Sequence, residues 1–310
     1  MECSGGVNEG FTPSANRCEP GQAESVHGLG HCARAPPRGA VVTGRDIPRV
    51  IWVGLIAVAV YTLVAGWFGE YVGEFAAPGD SDAEFALGHF IPLTILIVVG
   101  LAFVRRAGWG NDVWTSPSVI VEKAFSKRRR WWMLAIPVLL AAQIIIGLST
   151  VPWADSAVST VIIILAGTAM VGIGEELYFR GILRTAILGH HGELLALLLT
   201  SVAFGLGHTV KFLLMGMPIG AFSFQIVFLA MDGALYFGAL RATGTLWVPI
   251  ALHALNDFQL YLHSSDTDGV NQQSFGTDPV TVTSEMLLIA LSVVLVFSTF
   301  RRERKQRNGS

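Results

Sequence analysis

The chain has 310 residues, of which 52% are apolar and only 14% charged, and its mean hydropathy is +0.54. A soluble domain carries about 25% charge, so these values exclude a protein organised around a large water-soluble core and point to an integral membrane protein. The formal net charge of -2 says little as a total; where the charges fall along the chain says more.

Residues 1–45 are rich in Gly, Pro, Ser and Ala and hold no apolar stretch of signal-peptide length. They read as a flexible N-terminal cytoplasmic extension. The three cysteines, Cys3, Cys18 and Cys32, all lie in it, and an odd count offers no disulfide framework. With His27 and His31 their spacing fits no familiar zinc pattern. Eight apolar segments follow, at about 51–68, 89–104, 131–150, 157 onward to the glutamates at 175–176, 193–208, 219–240, 245–262 and 285–300. Each is near the roughly 20 residues that a helix needs to cross hydrocarbon. No alternating strand pattern of the membrane-barrel kind appears. The expected fold is therefore an all-α polytopic bundle of about eight transmembrane helices over 46–300, with a basic cytoplasmic tail at 301–310.

Charge orders these segments. With residues 1–50 placed in the cytoplasm, 20 of the 21 Lys and Arg fall in inner segments and only Lys211 falls outside. The outer loops carry acids instead, among them Glu70, Glu74, Asp80, Asp82 and Glu84, then Asp155, then Asp266, Asp268 and Asp278. Cytoplasmic excess of Lys and Arg sets membrane topology. Losing or adding one span would reverse every later loop and spoil the pattern, so eight spans with both termini inside are expected, in a membrane of bacterial plasma-membrane type. The run Lys127–Arg130 before Trp131-Trp132 reads as a topology determinant with an interfacial anchor. It is compatible with anionic lipid and too short to suggest nucleic acid.

Three patterns place ionisable groups where lipid should be. An ionisable residue at bilayer depth costs roughly 2.5–3.5 kcal/mol on insertion scales, so each asks for a reason. Glu176 and Arg180 are one helical turn apart and can pair, while Glu175 points about 100° away. Glu175 is left poorly solvated beside a second carboxylate, an arrangement suited to taking a proton from water. Gly172 and Gly174 just before it allow close helix approach. His208 follows Phe204 by one turn, and His253 precedes Asn256 and Asp257 by three and four residues. An imidazole held by such a neighbour has a fixed tautomer. The two histidines could stabilise a tetrahedral oxyanion. Equally, Glu175, His208 and His253 could hold Zn2+ or another divalent metal. Taken singly these are ordinary features, an ion pair at a helix end or an interfacial histidine; together they suggest a site. Asp232, also at depth, reads first as a structural hydrogen-bonding group, and His89, His190, His191 and His263 read as residues of span ends and loops.

The stretch Glu175-Glu176-Leu177-Tyr178-Phe179-Arg180-Gly181 resembles the EExxxR motif of the CAAX-protease and bacteriocin-processing (CPBP, or Abi) family of intramembrane proteases, which includes type II CAAX endopeptidases. Phe204…His208 resembles its FxxxH motif, and Arg241 to Trp247 with His253-Ala254-Leu255-Asn256-Asp257 resembles its RTGSLW…HALxN stretch. The resemblance covers about 131–262, in order. It implies Glu175 as the water-activating residue, supported by Glu176 and Arg180, with His208 and His253 as further site residues. Asp257 occupies the usual final place; Asn256 sits one residue early and is the alternative. It also implies hydrolysis of a peptide bond in a membrane-associated protein or peptide within the lipid bilayer, by a glutamic or a metal-assisted route. Non-catalytic relatives of the same fold, acting as scaffolds or immunity and regulatory proteins, are the alternative, with a charge-coupled transporter behind them. There is no HExxH, GxSG or GxGD for other intramembrane protease classes, and His191-Gly192-Glu193 is not the first of these.

One expectation concerns geometry. Simple spans would leave Glu175 and His208 about 10–15 Å apart in depth at ~1.5 Å per residue. The fourth helix should therefore extend to about 187 and the fifth to about 215.

Overall fold

The structure, a computed structural model, describes residues 47–116, 131–214, 216–263 and 279–308. The N-terminal cysteines, the basic run before Trp131 and the acids at 266–278 lie outside the described residues. Those described are helical throughout apart from short connections and one antiparallel bridge between Thr115 and Thr245.

Seven helices are long and apolar enough to cross a membrane: α1 (Ile51–Gly73), α2 (Ser81–Ala107), α3 (Trp131–Thr150), α4 (Val158–Leu188), α5 (Glu193–Leu214), α6 (Ile219–Thr243) and the last, α8 (Pro279–Asn308). Between the last two lies α7 (Trp247–His263), with 17 residues. At ~1.5 Å per residue it covers about 26 Å, short of the roughly 30 Å of hydrocarbon. The eighth expected span is thus a helix, but a short one carrying His253 and Asp257, and it packs against α3, α4 and α6.

Several helices outrun their apolar stretches, for local reasons. α2 begins at Ser81 because the Asp80 carboxylate caps it, accepting from the Ala83 amide at 3.0 Å. Asp82 and Glu84 then sit in its first turn, where acids complement the helix dipole. It stops at Gly108, whose φ of 67° reverses the chain. α4 passes beyond Arg180 to Leu188, as the depth argument requires, and residues Leu177–Leu183 within it wind as a π-helix. Such stretches mark functional sites more often than chance. α5 likewise reaches Leu214, with His208 at the joint between Glu193–Gly207 and Thr209–Leu214. α8 carries Arg301 through Arg307 as part of the same helix.

Apolar side chains divide by direction. Leu177, Ile182, Leu183, Ile187, Leu197 and Phe204 pack in the central cluster with Ile136, Phe237 and Leu240. Ile56, Val98, Ile145, Ile162, Val227 and Val293 stay exposed on the outer surface, as a lipid-facing surface requires. Glycine brings two helix pairs close around the central polar residues. A Cβ at Gly172 would come 2.8 Å from the Ile250 carbonyl oxygen, and one at Gly233 would come 2.9 Å from Ser201 Cα. α4 therefore meets α7, and α5 meets α6, backbone to backbone.

Candidate active site

The four helices so joined bring acids and imidazoles together. Arg180 Nη1 donates to Glu176 Oε1 at 2.8 Å, and neither side chain has any exposure. The other terminal nitrogen of Arg180 donates to the Gly233 carbonyl at 3.1 Å. This is possible because glycine leaves room for the guanidinium beside α6. His253 Nδ1 lies 3.0 Å from the same Glu176 oxygen. With a carboxylate as partner, that nitrogen is the donor, which fixes the ring. Nε2 then faces two further carboxylates, Asp257 at 3.4 Å and Glu175 at 3.8 Å. The second distance is within ion-pair range and beyond hydrogen-bond range. The ring stacks on Tyr236 at 4.8 Å.

Phe204 is the hub of the arrangement. Its ring lies 5.3 Å from that of His208 and 5.6 Å from that of His253, and the Arg180 guanidinium sits 4.1 Å over its face. His208 Nδ1 donates to the Phe204 carbonyl at 3.0 Å, so Nε2 remains to meet a ligand.

Beside these groups is a cavity of about 500 Å³, lined by Glu175, His208, His253, Asn256 and Asp257. Glu176 and Arg180 do not line it. Placement thus separates the two adjacent glutamates: Glu176 is bound into a sealed Arg–His clamp, while Glu175 faces the cavity. Glu175 Oε2 is buried and has no hydrogen-bond partner. At the final motif, Asp257 reaches His253 and Asn256 lines the wall one residue earlier.

Among the described residues no group of three or more His, Cys, Asp and Glu is disposed to hold a metal ion. Glu175, His208 and His253 line the cavity without forming such a set.

The cavity also recruits residues that the motifs do not name. Asp232 lines it. Tyr236 lines it too, and its stacking on His253 is visible only in three dimensions. His89 lines it from α2, its Nδ1 donating to the Phe85 carbonyl at 2.9 Å. Tyr61 is 2% exposed, lines the cavity and has a hydroxyl without a partner. A Cβ added at Gly174, the neighbour of Glu175, would come 2.9 Å from that hydroxyl. A charged residue at depth was the signal for Asp232 in the sequence; an isolated Tyr in an apolar run carries none.

No curated protein and no solved structure matches the chain. A protein-family model does match, over residues 157–259, and it is described as Type II CAAX prenyl endopeptidase Rce1-like. The matched stretch begins one residue before α4, contains both glutamates, Arg180, both histidines and Asp257, and ends within α7. Residues 157–259 are thus similar to the type II CAAX prenyl endopeptidase Rce1-like family, and they lie within a polytopic all-α membrane protein.

Proposed function

We propose that the protein is an intramembrane endopeptidase in which Glu175 activates a water molecule without requiring a metal, its termini lying in the cytoplasm. The observation that carries this reading is the division of labour between the two glutamates. Glu176 is neutralised by Arg180 and His253, and Glu175 is left beside the cavity with an oxygen that lacks a partner. A water hydrogen-bonded there loses a proton to Glu175 as its oxygen attacks the scissile carbonyl. The C–O bond forms, and negative charge collects on the former carbonyl oxygen. His208 and the Tyr61 hydroxyl, both lining the cavity, are the groups this reading assigns to stabilise that oxygen. Glu175 then returns the proton to the leaving amine as the C–N bond breaks. Glu176, Arg180 and Asp257 are positioning residues, holding His253 and through it the wall that faces Glu175. The substrate in this reading is a membrane-associated protein or peptide, because the cavity lies among helices long and apolar enough to span a membrane.

The test is cleavage of a peptide and lipopeptide library by purified protein, followed by identification of the product ends. Wild-type protein should cut and Glu175→Gln should not, with both equally folded; equal rates would defeat the assignment. A chelator should leave the rate unchanged, and a loss restored by added metal would return the metal route.

A further inference from the structure

The cavity lies toward one end of the bundle. Its floor is Glu175 and His253, near the middle of α4 and α7, and its rim includes Glu70, Glu84, Lys211 and Tyr261. Those four belong to the last turns of α1, the first turns of α2, and the last turns of α5 and α7. In this up-and-down arrangement these are the same end. His89 Nε2 lies 3.5 Å from the Tyr261 hydroxyl, and Lys211 Nζ sits 6.0 Å from the Tyr261 ring centre, tying α2, α5 and α7 together there. Glu70 and Glu84 are exposed.

Toward the other end, the described residues of α4 behind the floor are closely packed. Glu176, Phe179 and Arg180 are buried, as are Leu183 and Ile187 further along α4. Beyond them Arg49 pairs with Asp112, and Arg241 and Arg302 pair with Glu193. The distribution of Lys and Arg tells the two ends apart. Arg180 belongs to the site and Lys211 to the rim. Every other Lys and Arg lies before α1, after α8 reaches its last turns, or in the ends and connections that join α2 to α3, α4 to α5 and α6 to α7. Lys and Arg are retained on the cytoplasmic face, so the rim belongs to the opposite face.

We infer that the site draws its substrate from the non-cytoplasmic side: the scissile bond lies in a juxtamembrane segment of a membrane-anchored or exported peptide on that face. A lipidated C terminus presented from the cytoplasm would have to pass the closely packed residues behind the floor to reach Glu175. The inference takes its chemistry from the endopeptidase reading, but its geometry stands apart from it, and the experiment separates the two.

In a background with Cys3, Cys18 and Cys32 replaced by Ser, single cysteines are introduced as Leu260→Cys on the cavity wall, Glu70→Cys on the rim and Arg304→Cys at the basic end. Whole cells are treated with a small, membrane-impermeant cationic methanethiosulfonate. Leu260→Cys and Glu70→Cys should react in intact cells, and Arg304→Cys only after permeabilisation, with rates differing at least tenfold. The reverse order overturns the inference. So does a Leu260→Cys that reacts from neither side while Glu70→Cys shows the protein folded, since the cavity would then be closed to that phase. In a second arm, peptides cut by wild-type protein and spared by Glu175→Gln are added to right-side-out and inside-out vesicles. Product should form in the right-side-out vesicles; product in inside-out vesicles alone overturns the inference and leaves the protease reading standing.

Discussion

Two clusters of charge in this bundle use the same residue types to opposite ends. At the basic end, Arg49 meets Asp112 at 2.5 Å, Arg241 meets Glu193 at 2.5 Å and Arg302 meets it at 3.4 Å. Arg184 donates to the Arg180 carbonyl at 2.6 Å and to the carbonyls of Asp112 and Thr115. These bonds knit connections to helix ends. In the central cluster Glu176, Arg180 and His253 pair as closely, yet Glu175 Oε2, Glu176 Oε2 and Arg180 Nε are buried without hydrogen-bond partners. Buried polar groups in proteins are nearly always hydrogen-bonded. A cluster that keeps unmet capacity beside a cavity is prepared for a ligand, whereas one that meets it is structural. The difference separates chemistry from architecture where residue type cannot.

Substitution at each cluster should break this comparison in a graded way. Glu175→Gln keeps shape and removes the base; general acid–base catalysis contributes about 10²–10⁴-fold, so peptide cleavage should fall by roughly 10³-fold with unfolding in detergent unchanged. Arg180→Met leaves Glu176 charged and buried, at a cost of about 3–5 kcal/mol readable by chemical unfolding. The double variant Glu176→Gln with Arg180→Met should recover most of that stability without recovering cleavage, because the clamp on His253 stays broken. Gly172→Val drives a side chain toward the Ile250 carbonyl, 2.8 Å from the Cβ position. Overpacking of that kind costs about 1–3 kcal/mol, and cleavage should fall more than stability because Glu175 and His253 sit on the two helices pushed apart. Glu193→Gln at the basic end should cost about 1 kcal/mol or less and leave the cleavage rate alone. A large rate loss there would erase the distinction between the clusters.

Much of this was legible in the chain. Helix periodicity and apolar length are local properties, so the segment at 131–150 coincides with α3 (Trp131–Thr150), and the others are found with shifted ends. The ends moved where short-range polar chemistry intervened, as at Asp80, whose cap adds two turns ahead of the apolar run. The depth mismatch between Glu175 and His208 was itself informative, since tilted or longer fourth and fifth helices relieve it, and both are longer. The motif residues announced themselves through cost, being ionisable groups at depth. Tyr61 and Tyr236 did not, because a tyrosine within an apolar helix costs little until its surroundings are known.

The amino-acid order by itself determined the helices, the alternation of basic and acidic connections, and the set of groups capable of chemistry. Spacing along a helix dictates which side chains share a face, so Glu176 with Arg180 and His253 with Asp257 could be paired in advance. Only tertiary packing decided that Glu176 would be sealed and Glu175 left facing the cavity, and that Phe204 would touch both histidines. Those outcomes depend on the rotation and depth of one helix against another, which are set by contacts between residues far apart in the chain, such as Gly172 against Ile250 and Gly233 against Ser201.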